Sequence, residues 1–481
     1  MAVALTSAPP ASGTGPQVGY ESLVNEVEVE ALHVDGELPQ WLRGSLLRNG
    51  PALFEDRERS VRHWFDGQAM LHRFTIGDGE VGYANRFLRT KAHEAMRGGH
   101  LSFSEFATDP CRSIFKRVMT VFDPQITDNT FVSLTKLGEQ HYAMTEAPIS
   151  VQFDPLTLET LGYGEKCPGT FATAHPHRDP SSGALINVAT RMGPVNSYRF
   201  FIQTPDAGPR VLATKAVRRP GYIHSFAMTH RYIALVEFPF IVNSIEIPLS
   251  GKPFIENFRW EPERGSRILV FDRRTGKKAG QFETEPGFAF HHVGAWDRGN
   301  ELVMEYCDHE TPEVINAFYL DRLRSGEREL RGQRLRPRLR RVTIDLGKKS
   351  VRSEYRSDQE IELPRINDQA RYLLPYRFVY GITNRPGNRY ETADTLVKVD
   401  NENGEAVSWS ETASYVGEPI FVASPNNRRE DDGVVLSVVL DAARGCSYLL
   451  VLDARSMTEL ARARAPHVIP HGIHGAFYPT A

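Results

Sequence analysis

Four stretches of this 481-residue chain, "FATAHPHRDP", "GYIHSFAMTH", "GFAFHHVGAW" and "IPHGIHGAF", set histidines in apolar, strand-like surroundings far apart in sequence. Neutral imidazole is the commonest side-chain metal ligand, and one ring from each of four separated strands meets the others only at a shared axis. Any one of these histidines, taken singly, reads as an ordinary core or surface residue. The four settings together favour a bound metal. Spacing narrows the set without completing it. His291 and His292 are adjacent, so on a strand only one faces inward, and His471 and His474 also point oppositely if extended. His175 and His177 share a parity, with Pro176 between them. Spacing therefore asks for one ring per cluster and does not choose which.

Elements able to gather such rings are legible elsewhere. "VQFDPLTLETL", "ILVFDRRTGKKAGQF", "VTIDLGKKSV", "LVKVDNENGEAVSW" and "LLVLDARSMTELA" share one grammar: an apolar strand ending in Asp154, Asp272, Asp345, Asp400 or Asp453, a polar turn, then a second strand. Asp at a strand end bonds the backbone two residues on and starts the turn. The last three recur at roughly 50-residue intervals, the length of one four-stranded propeller blade. Inner strands of a propeller line its channel, which supplies the axis the histidines need. The expectation is a flexible lead-in over residues 1–20, rich in Pro, Ala, Ser and Gly, then one all-β propeller domain over 21–481. A helical or loop cap over one face completes it.

The clearest helical signal is "CRSIFKRVMTVF", residues 111–122. Its apolar face is Cys111, Phe115, Val118, Met119 and Phe122, with Arg112, Lys116 and Arg117 off that face. Such a segment reads either as a cap helix or as an interfacial helix meeting anionic headgroups. The basic run "RGQRLRPRLRRVTIDL" reads as an edge strand protected by Pro337 rather than a nucleic-acid site, since no aromatics interleave it.

Bulk properties remove other classes. A net charge of −3 offers no global field for nucleic acid. Cys111, Cys167, Cys307 and Cys446 lie far apart with no CxxC pair, which points to a reducing compartment, and the N-terminal stretch lacks the basic start of a signal peptide. A cytoplasmic protein with peripheral membrane contact is the expectation.

The histidine clusters, together with "LRGSLLRNGPALFE", "HWFDGQAMLHRF" and "EPIFVASPNNRREDDGVVLSVV", resemble the carotenoid cleavage oxygenases, non-haem iron enzymes built on a seven-bladed propeller. "DPCRSIF", "TDN" and "IHSFAMT" are most similar to the branch containing animal β-carotene oxygenases and the retinal pigment epithelium isomerohydrolase. The resemblance implies four metal ligands: His175 from "TAH", His224 from "IHSF", His291 from "FHH" and His474 from "HGAF". It also implies three outer glutamates: Glu146 with His224, Glu362 with His291 and Glu418 with His474. Physics agrees with the second set, because neutral imidazoles leave a divalent charge uncompensated and outer carboxylates fix each ring's tautomer. Four histidines around zinc would make a closed, structural site, whereas ferrous iron keeps open positions; the iron assignment, one Fe2+ per chain, is what the resemblance implies.

The implied activity is oxidative cleavage of a polyene C=C bond by O2 to give aldehydes, central 15,15′ cleavage to retinal being one case, and the sequence does not fix the bond attacked. Thr145, Tyr222 and Phe290 neighbour the ligands or Glu146 and are candidate pocket residues, and residues 111–122 and 238–258 are the candidate membrane patch. Stilbene-cleaving relatives carry a lysine just before the first outer glutamate, where this chain has Thr145, which disfavours a phenolic stilbene. A non-enzymatic propeller binding partners through its faces is the alternative outside the family.

Overall fold

The computed structural model describes residues 15–56, 59–99, 105–108, 126–325, 336–388, 390, 392–425 and 427–480. The helix expected over 111–122 lies outside the described residues. All five strand-end aspartates start the turns read from the sequence. Asp154 accepts from the N–H groups of Leu156 and Thr157 at 2.7 and 2.9 Å, and Asp453 does the same with Arg455 and Ser456. Asp272, Asp345 and Asp400 accept from N–H groups two residues on. Each aspartate joins the third strand of a blade to its outer fourth strand.

Seven antiparallel blades surround one axis. Blade I contains Gly44–Leu53, Gln68–Gly77 and Glu80–Phe87, and its innermost strand is the chain's last, Gly475–Pro479. The innermost strands of blades II to VI are Ser133–Leu137, the pair Phe171–Ala172 and His177–Arg178, Ala227–Met228, His292–Arg298 and Glu362–Arg365. Blade VII begins with the broken inner strand Ser414–Val416 and Ile420–Ala423, and its outer edge is completed by Val34–Gly36 from near the N-terminus. The ring is thus latched twice. Gly44 to Arg48 pair in register with Pro479 back to Gly475 on the inside, and Val34 to Gly36 pair with Ala463 back to Ala461 on the outside.

Burial explains the sequence patterns. Middle strands are covered on both faces by neighbouring blades and read as near-continuous apolar runs, as in Gly433–Asp441 and Cys446–Asp453. Leu46 and Phe74 of blade I pack there with Leu436 and Leu449 of blade VII. Outer strands such as Ser350–Glu360 are far more exposed. The lead-in expected to run through residue 20 ends sooner. Pro16–Tyr20 is a buried 3-10 turn held by the Tyr20 hydroxyl to Thr392 Oγ1 (2.9 Å) and by the Tyr20 ring against Trp64 and His471.

Among the described residues the helices are short. Loops and helical turns around Ile247–Ser250 and Val314–Ala317 wall the cavity described below. Within 238–258, Phe238, Phe240, Ile241, Val242, Ile255 and Phe258 are buried, and only Ile245 and Leu249 are exposed among its large apolar residues.

Candidate metal centre

Each blade delivers one side chain to the axis, in six of the seven from within or just before its inner strand. His474 immediately precedes the innermost strand of blade I, His175 sits between the two inner segments of blade III, and His224 precedes that of blade IV. His291 precedes the inner strand of blade V, Glu362 opens that of blade VI, and Glu418 lies in the break of blade VII. Blade II contributes Glu146 from the turn after Gln140–Met144. Four histidines and three glutamates account for the seven blades. The tail that carries His474 is fixed between blades I and II, its carbonyl accepting from Asn49 N–H and its own N–H donating to Val132 O.

The ligand nitrogens of His175, His224, His291 and His474 lie within 4.8 Å of one another. Glu146 accepts from His224 Nδ1 at 2.5 Å, Glu362 from His291 Nδ1 at 2.7 Å and Glu418 from His474 Nδ1 at 2.7 Å. These are the three pairings expected from the resemblance. The companion histidines face elsewhere. His292 bonds Ser225 Oγ, His177 bonds Tyr372 and the Phe226 carbonyl, and His471 bonds the Pro16 carbonyl. The choice that spacing left open is made by which ring each blade turns toward the axis.

These residues fit a divalent metal on the chemistry of their own hydrogen bonds. Burial alone would raise Glu362 and Glu418. His291 outweighs it at Glu362, and Arg365 and His474 outweigh it at Glu418, so both stay ionised far below the usual carboxylate range. An ionised carboxylate only accepts, so Nδ1 of His291 and of His474 carries a proton and each ring turns its Nε2 toward the axis. Yet these two Nε2 atoms lie 3.0 Å apart, and those of His175 and His224 lie 3.1 Å apart. Burial also drives His175 well below its ordinary value and His474 down to about 4, so neither ring supplies a compensating charge. Ring nitrogens gathered this closely from four blades suit a shared cation. Nitrogens about 2.1 Å from one ion are roughly 3.0 Å apart at a right angle and roughly 3.4 Å apart in a tetrahedron. The observed separations match the right-angle arrangement, which is not the closed structural type.

Around this centre lies a cavity of about 950 Å³. His224, His291, Glu146 and Glu362 reach its wall, as do all three pocket candidates, Thr145, Tyr222 and Phe290. Phe65, Phe131, Phe171 and Phe318 also line it, beside aliphatic residues such as Ile247, Leu249 and Val314. Tyr222 is buried, and its hydroxyl donates to both oxygens of Glu146 at 2.8 and 2.9 Å. Burial and the Glu146 charge push this phenol well above its usual value, so it remains a donor.

Three residues of the site escaped sequence reasoning. Arg48 Nη1 and Arg365 Nε bond Glu418 at 2.8 and 2.9 Å, and His309 Nε2 lies 3.3 Å from Glu362 Oε1. Arg48 stands inside "LRGSLLRNGPALFE" and Arg365 three residues after Glu362, but an arginine in a strand carries no signal that it will be buried.

Residues 20–479 match the family described as retinal pigment epithelial membrane protein, RPE65. The chain therefore belongs to the carotenoid oxygenases, a family of dioxygenase enzymes. It is 33% identical to the carotenoid isomerooxygenase of Galleria mellonella, over 93% of each chain. It is 31% identical to the mitochondrial carotenoid-cleaving dioxygenase of Homo sapiens, covering 92% of this chain and 87% of that one. Among solved structures, a variant of the Synechocystis apocarotenoid oxygenase superposes with a TM-score of 0.85 at 25% identity, over 96% of this chain and 98% of the other.

Proposed function

We propose that this protein is a ferrous-iron dioxygenase that cleaves one C=C bond of a carotenoid or apocarotenoid into two aldehydes. His175, His224, His291 and His474 hold the iron. The observation that carries the reading is the set of four convergent imidazoles beside a long aromatic cavity. When bound, iron(II) supplies coordination positions at which dioxygen is activated. The balance is simple: an internal double bond and O2 give two C=O groups, and no external reductant enters.

The chain's own residues do the rest. Glu146, Glu362 and Glu418 accept from Nδ1 of His224, His291 and His474 and leave the Nε2 of these three rings to face the ion. The aromatic wall takes up the apolar polyene and excludes water. Tyr222 and Phe290 present ring faces or edges near His224 (centroids at 6.3 and 5.1 Å), where positive character developing along the polyene is stabilised. Thr145 offers no cation to a phenolate, which favours polyenes over stilbenes. Residues 21–481 act as one oxygenase unit. Exposed Ile245 and Leu249 beside the cavity support peripheral contact with the membrane that stores such substrates. Free Cys167, Cys307 and Cys446 fit a cytoplasmic setting.

The test is metal analysis of the purified protein, then aerobic incubation with β-carotene, apocarotenals and resveratrol and mass identification of the carbonyl products. One iron per chain and retinal-sized aldehydes are expected. A folded protein that never takes up iron, or aldehydes from resveratrol alone, overturns the reading.

A further inference from the structure

One carboxyl on the cavity wall has no part in holding the imidazoles. Glu105 is 4% exposed and lines the same cavity as Tyr222 and Phe290. Its neighbour Phe106 packs on Tyr222 and Phe65, which places the 105–108 segment against the aromatic wall. Glu105 Oε1 accepts from the Thr127 hydroxyl at 2.9 Å, and that hydroxyl oxygen in turn accepts from Asn129 N–H at 3.0 Å. Gln68 also hydrogen-bonds the carboxyl. Among the described residues no lysine, arginine or histidine pairs with it.

The nearby charge is negative. Buried Asp66 accepts from Ala107 N–H at 3.0 Å and the Thr108 hydroxyl at 2.5 Å, so it is the better-solvated partner of the two acids. Of two neighbouring buried carboxyls, the one with more donors takes the negative charge and the other keeps its proton. Burial, with Asp66 and Asp128 adding to it, holds Glu105 well above the usual carboxylate range. A neutral carboxylic acid differs from every other group on this wall. It is a strong O–H donor beside Phe106 and Tyr222 on a wall that also carries aliphatic and hydroxyl side chains, and hydrocarbon offers nothing to accept that proton.

We propose that Glu105, steadied by Thr127, is a binding subsite for an oxygen at one end of the polyene, so that the preferred substrate is an oxygen-terminated polyene (aldehyde, ketone or alcohol) over a pure hydrocarbon. This rests on the oxygenase reading above and names the substrate class within it. A buried donor left without its acceptor by a hydrocarbon end discriminates against that end.

The experiment uses the full chain under anaerobic conditions, where binding occurs without turnover, with an all-trans polyene aldehyde and β-carotene as the two probes. In the wild type the bound aldehyde's absorption band should move to the red and its C=O stretch to lower frequency than in hydrocarbon solvent, and the aldehyde should bind more tightly than β-carotene. Glu105→Leu should lower the aldehyde-to-carotene affinity ratio about 10-fold, one net hydrogen bond, and abolish the carbonyl shift. Glu105→Gln, which keeps a donor, should retain most of the affinity. An unshifted carbonyl in the wild type overturns the proposal, and this needs no variant to fold. So does a Leu variant whose affinity ratio is unchanged. Shifted aldehyde binding with no aerobic cleavage keeps this subsite and removes the oxygenase reading, and β-carotene cleavage with no carbonyl shift does the reverse.

Discussion

Glu146 and Glu418 each hold one imidazole, but the two differ sharply in what else leans on them. Glu418 is 1% exposed and accepts from Arg48, Arg365, His474 and the Gly475 N–H. Glu146 is 17% exposed in its side chain and, among the described residues, accepts from Tyr222 and His224 alone. Glu418→Gln therefore strands a buried guanidinium. Arg365 keeps Asp368 nearby, whereas Arg48 is left with its bond to the Ile473 carbonyl at 3.2 Å. Breaking a buried ion pair from one side costs about 3–5 kcal/mol, while losing a neutral-compatible bond at Glu146 costs about 1 kcal/mol. Both variants should weaken metal binding about 10–100-fold, since each loosens one ligand's tautomer. The assay is denaturant unfolding of metal-stripped proteins, so that ligand binding does not add to stability. Adding Arg48→Met to Glu418→Gln should recover at least half of the lost stability and none of the metal affinity. Equal unfolding midpoints for the two single glutamine variants would refute this reasoning, as would a double variant no more stable than Glu418→Gln.

Three further outcomes are expected. His224→Ala should abolish iron uptake and activity together, measured by metal content and product formation; full activity in this variant would remove it from the ligand set. Asp66 is raised from 3.8 to about 6, mainly by burial. The folded state then binds the proton more tightly than the unfolded one, so stability falls as pH rises from about 4 to 6, by roughly 3 kcal/mol. Asp66→Asn should flatten that slope in pH-dependent denaturant titrations. Deleting residues 475–481 removes the inner strand paired to Gly44–Leu53 and opens the ring, so cooperative unfolding should be lost in a thermal melt even with His474 present.

The chain alone made much of this architecture readable, for local reasons. Strand-end aspartates act within three residues, so Asp154, Asp272, Asp345, Asp400 and Asp453 announced their turns without tertiary help. Middle strands covered on both faces had to be apolar throughout, and the blade period followed from their spacing. Motif likeness carried the four histidines and three glutamates. Only the folded ring could decide that His291 rather than His292 faces the axis, because adjacent residues on a strand differ by one peptide rotation that spacing leaves free. Only the ring could bury Arg48 beside Glu418, 370 residues away in sequence, since burial of a charge depends on which partner arrives. The lead-in shows the same limit: composition marked residues 1–20 as loose, but Tyr20 found Thr392 and the His471 ring, contacts closed by long-range packing. Short-range bonding is written in neighbouring residues, and the electrostatics of the centre exist only where distant strands converge.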